Sequence, residues 1–249
     1  MKPLQAAAIG LAALGLVERI GLWFVYAPAS FGDTPSYFRL AAALNEAGLS
    51  AYDASRVPGY PALIALLGQD PKMVWLVQMA LGWGISMLLF WLGWATTRRV
   101  GVGLLAGLLY NLIPGQVLFE ANLLSETLTA FLVIVSLTLW AGLERTARRN
   151  QGAPQDRELV LAGLLGVTSA LAGMVRPLFF VLPAWLFFFV LSMPALVRTH
   201  RMARAIAFGI GPVLILGGWL NWVNSTYGIF SPTTMTGYHL VQHTGEYFE

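Results

Sequence analysis

The sequence contains no cysteine. That absence excludes disulfides, thiolate catalysis and cysteine-ligated zinc, and it does not by itself reveal a compartment. Charge is scarce as well. Asp, Glu, Lys and Arg make up 11% of the residues, whereas a soluble domain carries about 25%. No internal repeat is visible, which argues against the inverted halves of a secondary transporter. The pI is 9.4, yet there is no basic stripe or stacking platform of the kind nucleic acids require, so nucleic acid is not an expected partner. What is abundant is apolar surface: 57% of the residues are hydrophobic and the mean hydropathy is +0.67. These values define an all-α polytopic membrane protein, because backbone groups in lipid must pair within a helix or a closed barrel. A barrel strand would alternate in polarity, and the long Leu/Ala-rich runs do not.

A membrane helix needs roughly 20 apolar residues. Seven spans are expected, near 4–27, 73–95, 100–118, 124–143, 158–175, 177–197 and 205–223, forming one transmembrane domain over 1–249. The fifth and sixth meet at Arg176-Pro177, where a tight turn is expected. With the N-terminus inside, Lys2, Arg98, Arg99, Arg145, Arg148, Arg149, Arg157, Arg198, Arg201 and Arg204 fall in the cytosol. Arg39, Arg56, Lys72 and Arg176 fall outside, and Arg19 lies within span one. This sorting obeys the positive-inside rule and places the chain in the inner (plasma) membrane of a cell. Lys2 and Ala27-Pro28-Ala29 resemble the ends of a cleaved signal peptide. The apolar stretch is too long for one and contains Glu18-Arg19, so an uncleaved first span is expected.

The first outer loop, 28–72, is the longest connection. Residues 36–48 have the spacing of an interfacial amphipathic helix, with Tyr37, Leu40, Ala41 and Leu44 on its apolar face and Arg39 and Glu46 in water. A second short helix is expected at 60–68, after Pro58-Gly59. Residues 144–158 read as a solvated cytosolic linker, and 224–249 as an outer C-terminal segment.

Several polar residues collect on the outer side. Asp33 follows Gly32 at the mouth of span one, where a carboxylate could accept a proton or hold a divalent cation. Asp33-Thr34-Pro35 equally fits a helix N-cap followed by proline. Glu126 opens span four after Ser125, a position that the helix dipole alone would favour. Arg56 precedes Val-Pro-Gly-Tyr-Pro, a stiffened turn. A guanidinium there, or at Arg176, suits a phosphate by its planar donor fork. Ordinary contact with lipid headgroups is the alternative for both. Glu18 and Arg19 point to different faces of span one, and a pairing role within the bundle is favoured for them over chemistry. His239, His243 and Glu246 have the i, i+4, i+7 spacing of a metal-binding helix face. A divalent cation at Asp33 or at these histidines is the one cofactor the sequence suggests.

Taken in order, these motifs resemble the GT-C superfamily of polyprenyl-phosphate-sugar-dependent glycosyltransferases, in particular the bacterial branch related to protein O-mannosyltransferases and aminoarabinose transferases. The resemblance runs from Arg19 through Asp33, Tyr37 and the Ala42-Ala43-Leu44 helix to Arg56-x-Pro-Gly-Tyr-Pro. It continues through Ser125-Glu126, Arg176-Pro177 and Leu182-Pro183. It implies inverting transfer of a sugar from a polyprenyl-phosphate carrier to a lipid, glycan or protein acceptor at the outer membrane face. Asp33 would be the essential acid, and Glu126 would place the acceptor or a cation. Arg56 and Arg176 would hold the carrier phosphate, with Tyr37 and Tyr60 completing the substrate-binding set. Trp219-Leu-Asn-Trp-Val-Asn224 stands where many relatives carry an Arg-Asn pair. Relatives also continue through further spans, so this chain is expected to be the N-terminal part of such a protein. A transporter or flippase for a lipid-linked or anionic substrate, and an inactive truncated fragment, are the alternatives. Charges gathered at one face favour the enzyme over a transport path.

Overall fold

The computed structural model describes residues 2–149, 156–193 and 198–237, and among them the fold is entirely helical. In chain order the helices are α1 (Lys2–Val25), α2 (Thr34–Ala47), α3 (Gly59–Leu66), α4 (Pro71–Thr97), α5 (Val100–Leu112) and α6 (Pro114–Phe119). They continue with α7 (Glu126–Arg149), α8 (Asp156–Val175), α9 (Val181–Ser192), α10 (Arg198–Pro212) and α11 (Gly218–Tyr227). A 3₁₀ turn, Pro177–Phe180, leads into α9, and a π-helical turn, Val213–Gly217, joins α10 to α11.

Among the described residues, five helices are long and apolar enough to cross a membrane: Pro3–Val25, Pro71–Thr97, Glu126–Arg149, Asp156–Val175 and His200–Tyr227. The third and sixth expected spans hold shorter apolar helices, Val100–Leu112 and Pro177–Ser192. Pro114 is the reason for the first of these interruptions. The residue before a proline is driven out of the helical region, and Ile113 is extended, with φ −85° and ψ 102°. The chain restarts as α6 at Pro114. The last long helix instead passes through Pro212, with a π turn directly after it.

Apolar faces remain open along these helices. Ile9, Val17, Phe24, Leu105, Phe188, Ile206 and Val213 are all exposed, a surface suited to lipid rather than water. Inside, small residues let helices approach closely, as in membrane bundles generally. A Cβ at Gly107 would stand 2.9 Å from the Ser86 carbonyl of α4, and one at Gly211 would stand 2.8 Å from the Val167 nitrogen of α8. Leu143, Leu165, Leu186 and Phe208 fill the core among α7, α8, α9 and α10.

With the shorter apolar helices α5 and α9 counted, consecutive apolar helices alternate in direction. One end of the bundle therefore gathers the start of α1, the α4–α5 turn, the end of α7, the start of α8 and the start of α10. Arg98, Arg99, Arg145, Arg148, Arg149, Arg157, Arg201 and Arg204 lie there. Arg145 donates to the Ala95 carbonyl, which ties α7 to α4 at that end. The other end carries α2, α3, α6 and the irregular segments 26–33, 52–58 and 120–125. The expected loop helices form there, but they pack into protein. Tyr37, Leu40 and Ala41 of α2 are buried. Tyr37 and Ala41 meet Tyr60, Ile64, Val74, Leu123 and Val175, while Leu40 meets Tyr52, Val57 and Trp219. Arg39 and Glu46 face outward.

Candidate functional site

Three connections fix the positions of the polar residues at the loop-rich end. Ala29 and Asn122 form an isolated parallel bridge, with the Leu123 N–H donating to the Ala29 carbonyl at 3.0 Å. Thr34 donates to the Leu123 carbonyl at 3.0 Å, so α2 starts against the entry to α7. Gly59 opens α3 directly beside the end of α8, where a Cβ would stand 2.5 Å from the Met174 carbonyl. Only glycine allows the 56–59 turn this close to Val175 and Arg176.

The result is a cavity of about 190 Å³ whose walls include Asp33, Tyr37, Arg56, Arg176 and Thr233. Four of the sequence-predicted site residues meet here. Asp33 occupies the N-cap position of α2, but its side chain makes no capping bond. Its Oδ1 instead accepts from Arg56 at 2.7 Å. Arg56 also donates through Nε to the Ser36 hydroxyl at 2.9 Å, and its guanidinium lies 5.0 Å from the Tyr37 ring centre. Two anchors at the start of α2 thus hold one edge of the Arg56 head, and the Tyr52 hydroxyl donates to the Arg56 carbonyl at 2.9 Å. Arg176 pairs with Glu126 at 3.0 Å. Glu126 does not line this cavity, and reaches it only through that pair. The Ser125 hydroxyl lies 3.2 Å from the Tyr37 hydroxyl.

Tyr60 takes a different place from the one expected. It is wholly buried behind Tyr37, with the two rings edge to face at 4.9 Å, and it does not line the cavity. Its hydroxyl donates to Gln78 at 2.6 Å. Burial, with smaller contributions from Tyr37 and Glu126, pushes this phenol far above the usual range, so it serves as a neutral donor. Helix α3 turns Tyr60 and Ile64, one turn apart, to the same inner side.

Arg19 makes the pair expected of it, with a partner 101 residues away. Its guanidinium grips Glu120 through Nε at 2.9 Å and Nη2 at 2.5 Å, and its Nη1 donates to the Gly15 carbonyl and to Asn111. Gln78, also fully buried, donates to the carbonyls of Glu120 and Asn122 at 2.8 and 2.7 Å. A Cβ at Gly82 would overlap the Glu120 carboxylate. This network holds the 113–125 segment on the bundle.

Asp33, at the cavity, and Glu126, outside it, each face a guanidinium, and no three His, Asp or Glu side chains converge among the described residues. His239, His243 and Glu246 lie outside the described residues. Sequence reasoning missed Ser36, which holds Arg56, and Ser55 and Thr233, which line the cavity. Each is a small hydroxyl in an irregular or helix-start position, where no periodicity marks it. Comparison with known proteins adds no relative: no family model, no curated protein and no solved structure matches this chain.

Proposed function

We propose that the chain is a membrane glycosyltransferase that moves a sugar from a polyprenyl-phosphate carrier to a lipid, glycan or protein acceptor. In this reading the shorter apolar helices Val100–Leu112 and Pro177–Ser192 complete a seven-span, GT-C-like bundle. The arginine-rich end faces the cytosol by the positive-inside rule, and the cavity opens at the outer face of the inner membrane. The observation that carries the proposal is the meeting of one carboxylate, two guanidiniums and an aromatic ring around a single cavity at the end opposite the basic loops.

The chemistry follows from those groups. The bond between the anomeric carbon and the phosphate oxygen breaks as the acceptor oxygen attacks from the opposite side. The electron pair leaves on the phosphate, which the forks of Arg56 and Arg176 stabilise. The acceptor proton passes to Asp33, a carboxylate within the same cavity. Arg56 keeps further N–H donors beyond the two that Asp33 and Ser36 engage.

The test is transfer of radiolabelled sugar from polyprenyl-phosphate donors in membranes that hold wild type or Asp33→Asn. Transfer by wild type, reduced roughly 10²–10⁴-fold in a normally inserted variant, is the expected result. Equal transfer by both removes Asp33 from the chemistry. No transfer from any of a panel of sugar donors overturns the proposal.

A further inference from the structure

The basic end of the bundle is not uniform. The last turns of α7 hold two charged pairs at i, i+4 spacing, each on its own strip of the helix. Glu144 accepts from Arg148 at 2.8 Å, which neutralises one strip. Arg145 and Arg149 make up the other, and both are positive. Like charges at this spacing oppose helix formation. The negative end of the helix dipole favours cations in the last turn, which accounts for Arg148 and Arg149. Arg145 lies a turn earlier.

Arg145 is also held in place. It is half-buried, its guanidinium lies 5.4 Å from the Trp91 ring centre, and its Nη2 donates to the Ala95 carbonyl. Helix α4 brings a strip of its own to the same place: Trp91, Trp94 and Arg98 follow at i, i+3, i+7 spacing. The Arg98 guanidinium lies 5.6 Å from the Trp94 ring centre. The charges of Arg98 and Arg149 both act on Arg145, so three guanidiniums from two helix ends share one patch. Among the described residues none of the three has a carboxylate partner. Alone they repel one another, and a phosphate among them turns repulsion into charge-assisted hydrogen bonds. Arg145 keeps N–H donors beyond the one that Ala95 engages.

The surroundings favour a phosphate carried by a lipid over one in solution. Indole rings belong at the boundary between headgroups and hydrocarbon, and here two of them flank the guanidiniums. The first two turns of α5 expose Val102 and Leu105. A basic patch between the ends of membrane helices is the usual seat of an anionic headgroup. We propose that Arg98, Arg145 and Arg149, with Trp91 and Trp94, bind the phosphodiester of an anionic phospholipid from the adjoining leaflet. The site needs only that these helices span a bilayer. It stands apart from the cavity at Arg56 and does not rest on the transferase reading.

The test is native mass spectrometry of the full chain in detergent micelles, titrated with dioleoyl phosphatidylglycerol or dioleoyl phosphatidylcholine. Arg98→Gln combined with Arg149→Gln removes two exposed guanidiniums and leaves the Arg145 contact to α4 intact. Arg157→Gln combined with Arg201→Gln removes two exposed charges from the same end, on α8 and α10, and controls for net charge. Wild type should retain the phosphatidylglycerol about tenfold more tightly than the phosphatidylcholine. That preference should vanish in the first double variant and persist in the second. No preference in wild type overturns the site. Equal loss in both double variants reduces it to net charge and overturns it as well. Displacement of the phosphatidylglycerol by millimolar inorganic phosphate would make a soluble anion the occupant, and would overturn the lipid assignment.

Discussion

Arg19–Glu120 and Arg56–Asp33 are both arginine–carboxylate pairs, and they sit in opposite surroundings. The side chains of the first are 4% and 1% exposed, those of the second 28% and 54%. Around Arg19 the carboxylate, a carbonyl and an amide take up the fork. Around Arg56 the contacts leave donors facing a cavity. Burial makes the first pair a fixed joint, because separating two desolvated charges costs far more than separating two wet ones. Solvent makes the second pair exchangeable, so an anion of better geometry can replace Asp33 on Arg56. Arg176–Glu126, 43% and 32% exposed, belongs with the second kind.

The strongest way to break this contrast is to remove one partner from each kind. Glu120→Ala strands a buried guanidinium and should destabilise by about 3–5 kcal/mol, seen as lost yield of folded protein in membranes. Arg19→Met combined with Glu120→Leu replaces the pair with apolar side chains and should recover most of that yield. Recovery is the decisive result. A functional Arg19 would leave the double variant folded but inactive, and a purely structural one would restore activity along with yield.

At the open pairs the expected order reverses, with small effects on stability and large ones on turnover. Arg56→Lys and Arg176→Lys each keep the charge and lose the planar fork. Melting in detergent should shift by no more than about 1 kcal/mol equivalent. The concentration of polyprenyl-phosphate donor needed for half-maximal transfer should rise roughly tenfold. An unchanged donor requirement in both variants would show that neither guanidinium reads the phosphate.

The sequence carried the helices better than the pairings. Runs of roughly 20 apolar residues are a strong local signal, and the α2 pattern put Tyr37, Leu40 and Ala41 on one face, which packs into protein rather than lying at a membrane interface. Pro114 was equally visible, yet its effect on the third span depended on Ile113 leaving the helix. Pairing is a long-range property. Glu120 and Glu126 lie six residues apart in one acidic segment, and nothing local tells which meets Arg19 and which meets Arg176. Tyr60 shares a motif with Arg56 but turns inward. Its helix, Gly59–Leu66, is apolar throughout, so no polar face marked the direction. Asp33, Tyr37, Arg56 and Arg176 were each legible as candidates. Their meeting required Gly59 against Met174 and Thr34 against Leu123, contacts across more than a hundred and nearly ninety residues of chain.

The smallest expected effect lies at a third pair, Arg39–Asp53, 2.7 Å apart and exposed at the loop-rich end. Burial alone would raise the Asp53 pKa. Hydrogen bonds from Ser55 and Arg39, with the Arg39 charge, outweigh it and hold the carboxyl below its ordinary value of 3.8. A carboxyl depressed in the folded state adds stability above its unfolded pKa, and that contribution fades as pH falls toward the folded value. Exposure keeps the contribution small. The Asp53 carbonyl also accepts from Thr234, and the Ala54 carbonyl from the Thr234 N–H, so the loop should loosen where the 229–237 segment docks. Proteolysis or melting of wild type should therefore change between pH 5 and pH 3 more than in Asp53→Asn, which has no carboxyl to titrate. Identical profiles would mean that the backbone contacts alone hold this loop.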